Sequence, residues 1–426
     1  MISGSPSVQI RDVVVIGGGP AGSVAGAYLA RAGFSPLILE KEYFPRFAIG
    51  ESLLPFGNGI LKELDIWPEL ERCGFLRKYG ADFCTGDAEH LNRYWFREAL
   101  GTEHEQAFQV ERSQFDKILL DRARTEGCEV IEGARVATLE KQGTERVRID
   151  YEDGTGRHTL EARWVIDASG RPGLAGTLLK IPKLPTRDRK MLAIYGHFSN
   201  MRRDSGEAGG HTVIVRFKGD WFWLIPFAGS TTSVGAVLPP AVLREYGGDL
   251  DKTFRSCVAE NPDVAARMVD AEPIMPLRAT ADYSWRFESF ADGRVILTGD
   301  AAGFVDPIFS SGVMLAMKSS QLAVELIKRA DALDRGLTRR EARTYTRDIV
   351  GWMRLYSRII GLFYSPNGYE IFMHPMPFLN IPKAIGAIVG GNLALPFSQR
   401  WRLAVFDLIC LLQKFLKLAP TIPSLR

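Results

Sequence analysis

The first forty residues constrain the fold most. Val13-Val14-Val15-Ile16 and Leu37-Ile38-Leu39 are short apolar runs, and between them Ala21 to Ala32 carries small residues at helical spacing. Two strands without a polar face, joined through a helix, make one βαβ unit of a parallel sheet buried on both sides. The connecting turn, Gly17-Gly18-Gly19-Pro20-Ala21-Gly22, sets glycines at 17, 19 and 22 in the dinucleotide-binding spacing. Gly17 permits the tight turn, Gly19 lets backbone approach a diphosphate, and Gly22 allows the helix to pack closely. The helix N-terminus, opening at Pro20 and Ala21, adds amide donors and a partial positive charge. Glu40 ends the second strand about twenty residues on, where a carboxylate accepts hydrogen bonds from an adenosine ribose.

Length and charge limit what this unit serves. A chain of 426 residues exceeds one typical core, so two domains are expected. A net charge of +3 gives no field that implies nucleic acid. Cys73, Cys84, Cys128, Cys257 and Cys410 are scattered, with no pairing or histidine clustering, which argues against a metal site and a disulfide framework and favours a reducing cytoplasm. The first apolar run is too short for a signal peptide or a membrane span.

Three later segments choose FAD over NAD. Val110-Glu111-Arg112 leads into a helix from Ser113 to Glu126. Trp164-Val165-Ile166 is a buried strand ending in Asp167-Ala168-Ser169-Gly170-Arg171, and Val295-Ile296-Leu297 ends in Thr298-Gly299-Asp300-Ala301-Ala302-Gly303. Each puts a turn at a strand's carboxyl end, where open α/β sheets bind ligands. Asp300 suits the ribityl chain; taken alone, Asp300 and Arg112 read equally well as solvated loop charges. A second sheet follows. Met191 to Ser199, His211 to Phe217, Trp221 to Phe227 and Thr231 to Leu238 read as antiparallel strands, with Ala81 to Phe83 and Arg93 to Phe96 as partners and Pro240 to Met268 as helix. In Trp221-Phe222-Trp223-Leu224-Ile225-Pro226, alternation puts the tryptophans on one face and Phe222 and Leu224 on the other. Alone, that is an aromatic strand stopped by Pro226. Tyr195 and Phe198 are candidates for a ring pocket, and His90, His197 and His211 read as structural or surface residues.

Together with Phe44-Pro45-Arg46 and Gly50-Glu51-Ser52-Leu53-Leu54-Pro55, these segments resemble the aromatic hydroxylase flavoproteins from Val13 to about Ala330. The resemblance implies an α/β (α+β) chain: a doubly wound FAD-binding domain over 1–80, 106–190 and 276–330, a β-sheet substrate domain over 81–105 and 191–275, and a helical C-terminal region over 331–426. It implies FAD contacts from Gly17, Gly19, Pro20, Ala21, Gly22, Glu40, Lys41, Arg46, Gly50, Glu51, Ser52, Arg112, Asp300, Gly303, Pro307, Gly312 and Val313.

Within that fold family the sequence is similar to flavin-dependent halogenases of the pyrrole and phenol type, in three places. The tryptophan box is one. The segment from Phe304 through Pro307 to Ser310-Ser311-Gly312 is the second; by its residues it is a helix start from Val313 to Leu326 with an ordinary serine cap, and the resemblance implies a halide held at Ser310, Ser311 and Gly312. The third is Lys78, expected on the loop after a helix from Gly57 to Glu71. A lone lysine is a solvated surface charge, but the resemblance implies a catalytic amine. Its neighbour Arg77 stays protonated and cannot do that work.

The resemblance further implies a mechanism. Reduced FAD and O2 form a flavin C4a-hydroperoxide, chloride or bromide attacks it, and hypohalous acid passes Trp221, Trp223 and Phe309 to Lys78. The amine then presents it to an electron-rich aromatic carbon. Asp167 to Arg171 continues into Pro172-Gly173-Leu174 rather than an NADPH-binding element, so a separate flavin reductase is expected. Phe309 replaces the glutamate of tryptophan halogenases, which points to a pyrrolyl or phenolic acyl group on an acyl carrier protein, then to a free phenol. A single-component hydroxylase, a polyprenyl reductase-like flavoprotein and a non-catalytic flavoprotein are the alternatives. The apolar stretches Ile385 to Leu395 and Trp401 to Leu418 are expected to be helical, with Trp401, Val405, Leu408, Leu412 and Phe415 on one stripe. They read as a lid, a carrier-docking face or a peripheral membrane contact, since their charges forbid a span.

Overall fold

The computed structural model describes residues 9–101, 104–186, 190–282 and 284–425; the remaining residues of the expected domain ranges lie outside these. Strand Gln9–Ile16 is central to the first sheet, pairing in parallel with Pro36–Glu40 on one side and with the long strand Gly156–Asp167 on the other. Val295–Leu297 extends the sheet in parallel beyond Gly156–Asp167, and Glu129–Glu132 extends it beyond Pro36–Glu40. Helix Pro20–Arg31 crosses between the first two strands. Its Gly26 allows a close approach to the sheet, since a Cβ there would sit 2.9 Å from the end of the Ile38 side chain and 3.0 Å from the Cys128 sulfur, and those side chains would have to shift.

The second sheet faces the carboxyl ends of the first. Met191–Ser199, Thr232–Leu238, Asp220–Pro226 and Thr212–Phe217 form its antiparallel centre. Gly80–Cys84 then joins Thr212–Phe217 in parallel, not in an antiparallel meander, because the chain reaches it from the flavin sheet by a crossover; Leu91–Trp95 follows it as a hairpin. The tryptophan strand alternates as its sequence dictates. Phe222 and Leu224 pack with Val213, Val215 and Phe254 in a separate small core, while Trp221 and Trp223 join the main core.

Several expected elements are corrected. The helix expected from Gly57 to Glu71 is two, Asn58–Glu63 and Trp67–Arg72, broken where Asp65 takes a left-handed φ of 54°. Lys78 is not on a loop: it ends the short strand Leu76–Lys78, paired with Ala107–Gln109. The helix expected from Pro240 to Met268 is three, Pro240–Glu245, Leu250–Ala259 and Pro262–Arg267, interrupted by Gly247-Gly248, both at positive φ, and by the Asn261 cap.

Beyond Gly312–Asp331 the chain is helical: Arg339–Tyr364, Pro366–Met373, Ile381–Val389 and Phe397–Leu416. A capping box between Thr338 and Glu341 opens the longest of these. The expected helix from Ile385 to Leu395 thus starts earlier and stops at Val389, with Gly391 at φ 96°. In Phe397–Leu416 the expected stripe lies at the edge of the buried face, with Trp401, Val405 and Leu412 half-buried. Leu403, Phe406, Ile409 and Cys410 are buried, whereas Leu408 and Phe415 are 53% and 75% exposed. Apolar residues on both flanks of the stripe blur its limits, so periodicity alone places it off the centre of the buried face. Among the described residues, no helix is long and apolar enough to cross a membrane.

Candidate functional site

One elongated cavity of about 540 Å³ runs from the glycine turn to the tryptophans, a size normal for a cofactor site. Gly17, Gly19, Pro20 and Ala21 wall one end. Gly17 holds φ 101°, and a Cβ there would lie 2.6 Å from the Ala168 carbonyl oxygen. Gly22 stands behind the turn, where a Cβ would fall 1.8 Å from the Gly17 oxygen, so it shapes the cradle without lining it. Glu40 also lines the cavity; its two oxygens accept from the Gly18 and Glu42 amides at 2.6 and 2.8 Å, leaving further lone pairs for a ribose.

Lys41, Arg46, Gly50, Glu51, Ser52 and Arg112 continue the wall. Arg112 is aimed by Asp116, one helical turn on, through a bidentate pair at 2.7 and 2.8 Å, and donates to the Ile49 carbonyl at 2.6 Å. Asp116 is wholly buried and was not singled out from sequence, although an Arg-x-x-x-Asp spacing on one helix face is a readable sign. Glu51 Oε1 is 2.7 Å from His197 Nε2, while Glu51 Oε2 is buried with no protein partner among the described residues. An orphaned carboxylate oxygen on this wall, with the cradle at one end, fits a bound FAD that supplies donors. Asp300 lines the cavity, and its poor solvation pushes its carboxyl up to about 6, against the pull of Arg171 and Arg112. Gly303 lies off the wall, pairing with Arg286 in a small separate sheet.

At the other end Trp221 and Trp223 line the cavity with Thr212, Ile214 and Val237. Each indole N–H is satisfied: Trp221 Nε1 donates to Tyr364 Oη at 2.8 Å, and Trp223 Nε1 to Ser233 Oγ at 3.2 Å. Tyr364 in turn donates to Asp306 Oδ2 at 3.0 Å, which ties the tryptophan strand to the turn before Pro307. The Trp223 ring covers Gly235 so closely that a Cβ would meet it at 2.2 Å. Tyr195 stacks on Phe47 on this face, while Phe198 stacks on Phe254 on the opposite one.

Pro307, Ser310, Gly312 and Val313 line the cavity and open helix Gly312–Asp331. Ser310 turns the chain at φ 55°, and its amide is committed to the Pro307 carbonyl at 2.8 Å. Ser311 is buried behind it, and a Cβ on Gly312 would meet nothing within 4 Å. Phe309 is not on the cavity wall; it packs against Phe83 and Phe363 at 5.9 and 6.4 Å.

Lys78 is 1% exposed. Its Nζ donates to Ser52 Oγ at 2.8 Å and to the Leu53 carbonyl at 3.3 Å, and lies 5.3 Å from the centre of the Phe96 ring. Burial without a carboxylate partner lowers its ammonium to about 7. The amine does not line the cavity itself, but Ser52, its hydrogen-bond partner, does. Thr212 Oγ1 is 2.8 Å from Ser52 Oγ, and Gln109 Nε2 donates to Thr212 Oγ1 at 2.9 Å. Helix Ile381–Val389 and the glycines after it roof this chamber: a Cβ on Gly390 would touch Phe96 at 3.6 Å, and the Phe56 amide donates to the Gly390 carbonyl. Sequence reading missed Thr212 and Gln109, though Thr212 is a polar residue opening a strand whose next four residues include Val213, Ile214 and Val215.

The histidines sit apart from the amine. His211 is buried on the far face of the sheet, 2.7 Å from Asp82, and His90 lies beside Asp87. Asp82 is held below the usual carboxylate range by His211 and Arg93, which outweigh its burial.

Residues 11–337 match the family described as FAD binding domain. The chain is 31% identical over 381 residues to a 1H-pyrrole-2-carbonyl-[peptidyl-carrier protein] chlorinase of Pseudomonas fluorescens, covering 83% of this chain and 84% of that one. Among solved structures it superposes on the flavin-dependent brominase Bmp2 with a TM-score of 0.84 at 26% identity, over 94% of this chain and 99% of that one. A flavoprotein/dehydrogenase from Cytophaga hutchinsonii superposes with a TM-score of 0.86 at 27% identity, over 95% and 99%.

Proposed function

This chain belongs to the flavin-dependent halogenases of the FAD binding domain family, and we propose that it chlorinates or brominates a pyrrolyl or phenolic acyl group carried on an acyl carrier protein. The observation that carries this reading is Lys78, a fully buried lysine one hydroxyl removed from the cofactor cavity. Reduced FAD and O2 supply, when bound, the two-electron oxidising power that turns halide into hypohalous acid. The chain's own residues do the rest.

In this reading the helix start at Ser311 and Gly312 holds the halide by its amides and the helix dipole, while Ser310, whose own amide is committed to Pro307, turns the chain at the cavity wall. Trp221 and Trp223 wall the cavity and exclude water, so that hypohalous acid survives to be used. Lys78 receives it, either through a hydrogen bond or as a haloamine, and sets the halogen against an aromatic carbon. An amine lowered to about 7 is populated as the free base at neutral pH, whereas an ordinary surface lysine is almost wholly ammonium. Gly17, Gly19, Pro20, Ala21 and Glu40 hold the adenosine diphosphate half of FAD. Lys41, Arg46, Gly50, Glu51, Ser52, Arg112, Asp300, Pro307, Gly312 and Val313 line the path to the flavin end, and Gly22 and Gly303 shape it from behind.

Asp167, buried and accepting from the Ser169 and Ala175 amides, is spent on folding its own loop. The continuation of this segment into Pro172-Gly173-Leu174, in place of an NADPH-binding element, supports electrons arriving from a separate flavin reductase. A carrier-bound substrate is favoured because the Pseudomonas relative is named for a pyrrole on a peptidyl carrier protein and because Phe309 gives no charge to stabilise a free indole. The test supplies flavin reductase, NADH, chloride or bromide, and a panel of free and carrier-loaded aromatics, read by mass spectrometry. Halide-dependent mass gain that disappears in Lys78→Ala, with FAD still bound, is the expected result. Oxygen insertion without halide, or NADPH oxidation by this chain alone, contradicts it.

A further inference from the structure

The amine of Lys78 and the cofactor cavity are joined by two hydroxyls whose hydrogens can be counted. Each hydroxyl has one hydrogen and accepts up to two hydrogen bonds. Gln109 Nε2 donates to the Gly210 carbonyl at 3.0 Å as well as to Thr212 Oγ1. A carbonyl only accepts, so the amide nitrogen must face this way, and Thr212 must accept from it. Ser52 accepts from the Lys78 ammonium. The 2.8 Å bond between Ser52 and Thr212 uses one of the two hydroxyl hydrogens. The other has no protein acceptor among the described residues, and both side chains line the cavity. Whichever way the central bond runs, one O–H is left without a protein acceptor among the described residues, on a residue that lines the cavity.

The polarity reverses when Lys78 is an amine. Its lone pair then accepts from Ser52, Ser52 accepts from Thr212, and the cavity meets only oxygen lone pairs. We infer that Ser52 and Thr212 form a proton relay, oriented by Gln109, between Lys78 and the flavin end of the cavity. A proton leaves Lys78 Nζ for Ser52 Oγ as the Ser52 proton passes to Thr212 Oγ1 and the Thr212 proton passes to a basic oxygen in the cavity. One N–H bond is exchanged for one O–H bond, and nothing is oxidised or reduced. The same transfer leaves Lys78 as the free base that can capture electrophilic halogen, so protonating the cavity and arming the amine are one event. The chain also runs backward and reloads the ammonium after halogen transfer. This inference rests on the catalytic reading of Lys78. Thr212 and Ser52 are positioning residues in it, because they act through the amine.

The test compares Thr212→Val, which keeps shape and removes the hydroxyl, with Thr212→Ser, which keeps the hydroxyl, both as FAD-bound enzyme. The titration of Lys78 is followed by NMR of lysine labelled at Cε, assigned by its loss in Lys78→Met. Thr212→Val is expected to slow halogenation by about 10²-fold, the usual worth of positioned proton transfer. It should also lower the midpoint of the Lys78 titration, because the ammonium loses a polarised acceptor. Thr212→Ser should restore both to within a few-fold of wild type. Equal behaviour of the valine and serine variants, or an unmoved Lys78 titration, overturns the relay. Ser52→Ala gives the same readout should Thr212→Val fail to fold. Lys78→Met halogenating at the wild-type rate overturns the catalytic reading itself; an inactive Lys78→Met beside unaffected Thr212 and Ser52 variants overturns the relay alone.

Discussion

At its Gly17 end the cavity is walled by backbone, and at its Lys78 end by side chains gathered from across the chain. The cradle needs only a six-residue turn, one helix start and the acid closing the next strand, all within 24 residues of one another in sequence, from Gly17 to Glu40. The amine chamber needs Ser52, Lys78, Phe96, Gln109, Thr212 and Gly390, which lie on separate elements. The first is fixed by steric exclusion, where an added methyl has nowhere to go. The second is fixed by burial of polar groups, where a lost partner is costly. The lesson is that cofactor binding and halogen transfer should break separately.

The sharpest separation is expected from Lys78→Met. Halogenation should fall on the order of 10³-fold, within the range spanned by positioned acid–base groups, while FAD loading measured by flavin absorbance stays at the wild-type level. Gly22→Ala should do the reverse, since its Cβ would lie 1.8 Å from the Gly17 carbonyl oxygen. FAD affinity is expected to drop on the order of 10²-fold, equal to about 3 kcal/mol, read by equilibrium titration of the apoenzyme.

Stability sharpens the contrast further. Lys78 is lowered to about 7 by burial, whereas in the unfolded chain it titrates near 10.4. Between those values the unfolded chain binds the extra proton, so the native state gains stability as pH rises from about 7 toward 10; below 7 the cost is constant. Lys78→Met should therefore be more stable than wild type at neutral pH, by about 4 kcal/mol, and lose that advantage by about pH 10. Urea unfolding across that range checks it. No such slope is expected from the cradle glycines.

Smaller effects test how the aromatic wall is held. Gly235→Ala must displace the Trp223 ring, and about 10-fold slower halogenation with normal FAD binding is expected. Tyr364→Phe removes the acceptor of the Trp221 indole and the donor to Asp306, at a cost of about 1 kcal/mol in thermal or chemical denaturation.

The same division governs what the sequence discloses. Gly17, Gly19, Gly22 and Glu40 are legible because turn geometry and strand length fix their spacing, and the alternation of Trp221 to Leu224 correctly assigns both faces of the strand. Lys78 was found only through resemblance. Nothing local distinguishes it from Arg77, since what buries it is the later strand Ala107–Gln109 and helices three hundred residues away. Gln109 and Thr212 carry no local motif, because their partners come together only in the folded chain. The breaks at Asp65 and Gly247-Gly248 were missed because apolar spacing continues across them. The stripe of Phe397–Leu416 was placed off the centre of its buried face because Leu403, Phe406 and Ile409 beside it are equally apolar.

The most direct test of the account is one comparison on FAD-loaded protein supplied with a flavin reductase, NADH and halide. Wild type and Lys78→Met are assayed in parallel for hypohalous acid, with a small reactive trap, and for halogenated aromatic product. The account predicts that the variant still oxidises halide but gives no product above background. Product from the Lys78→Met enzyme at a rate near wild type would contradict it.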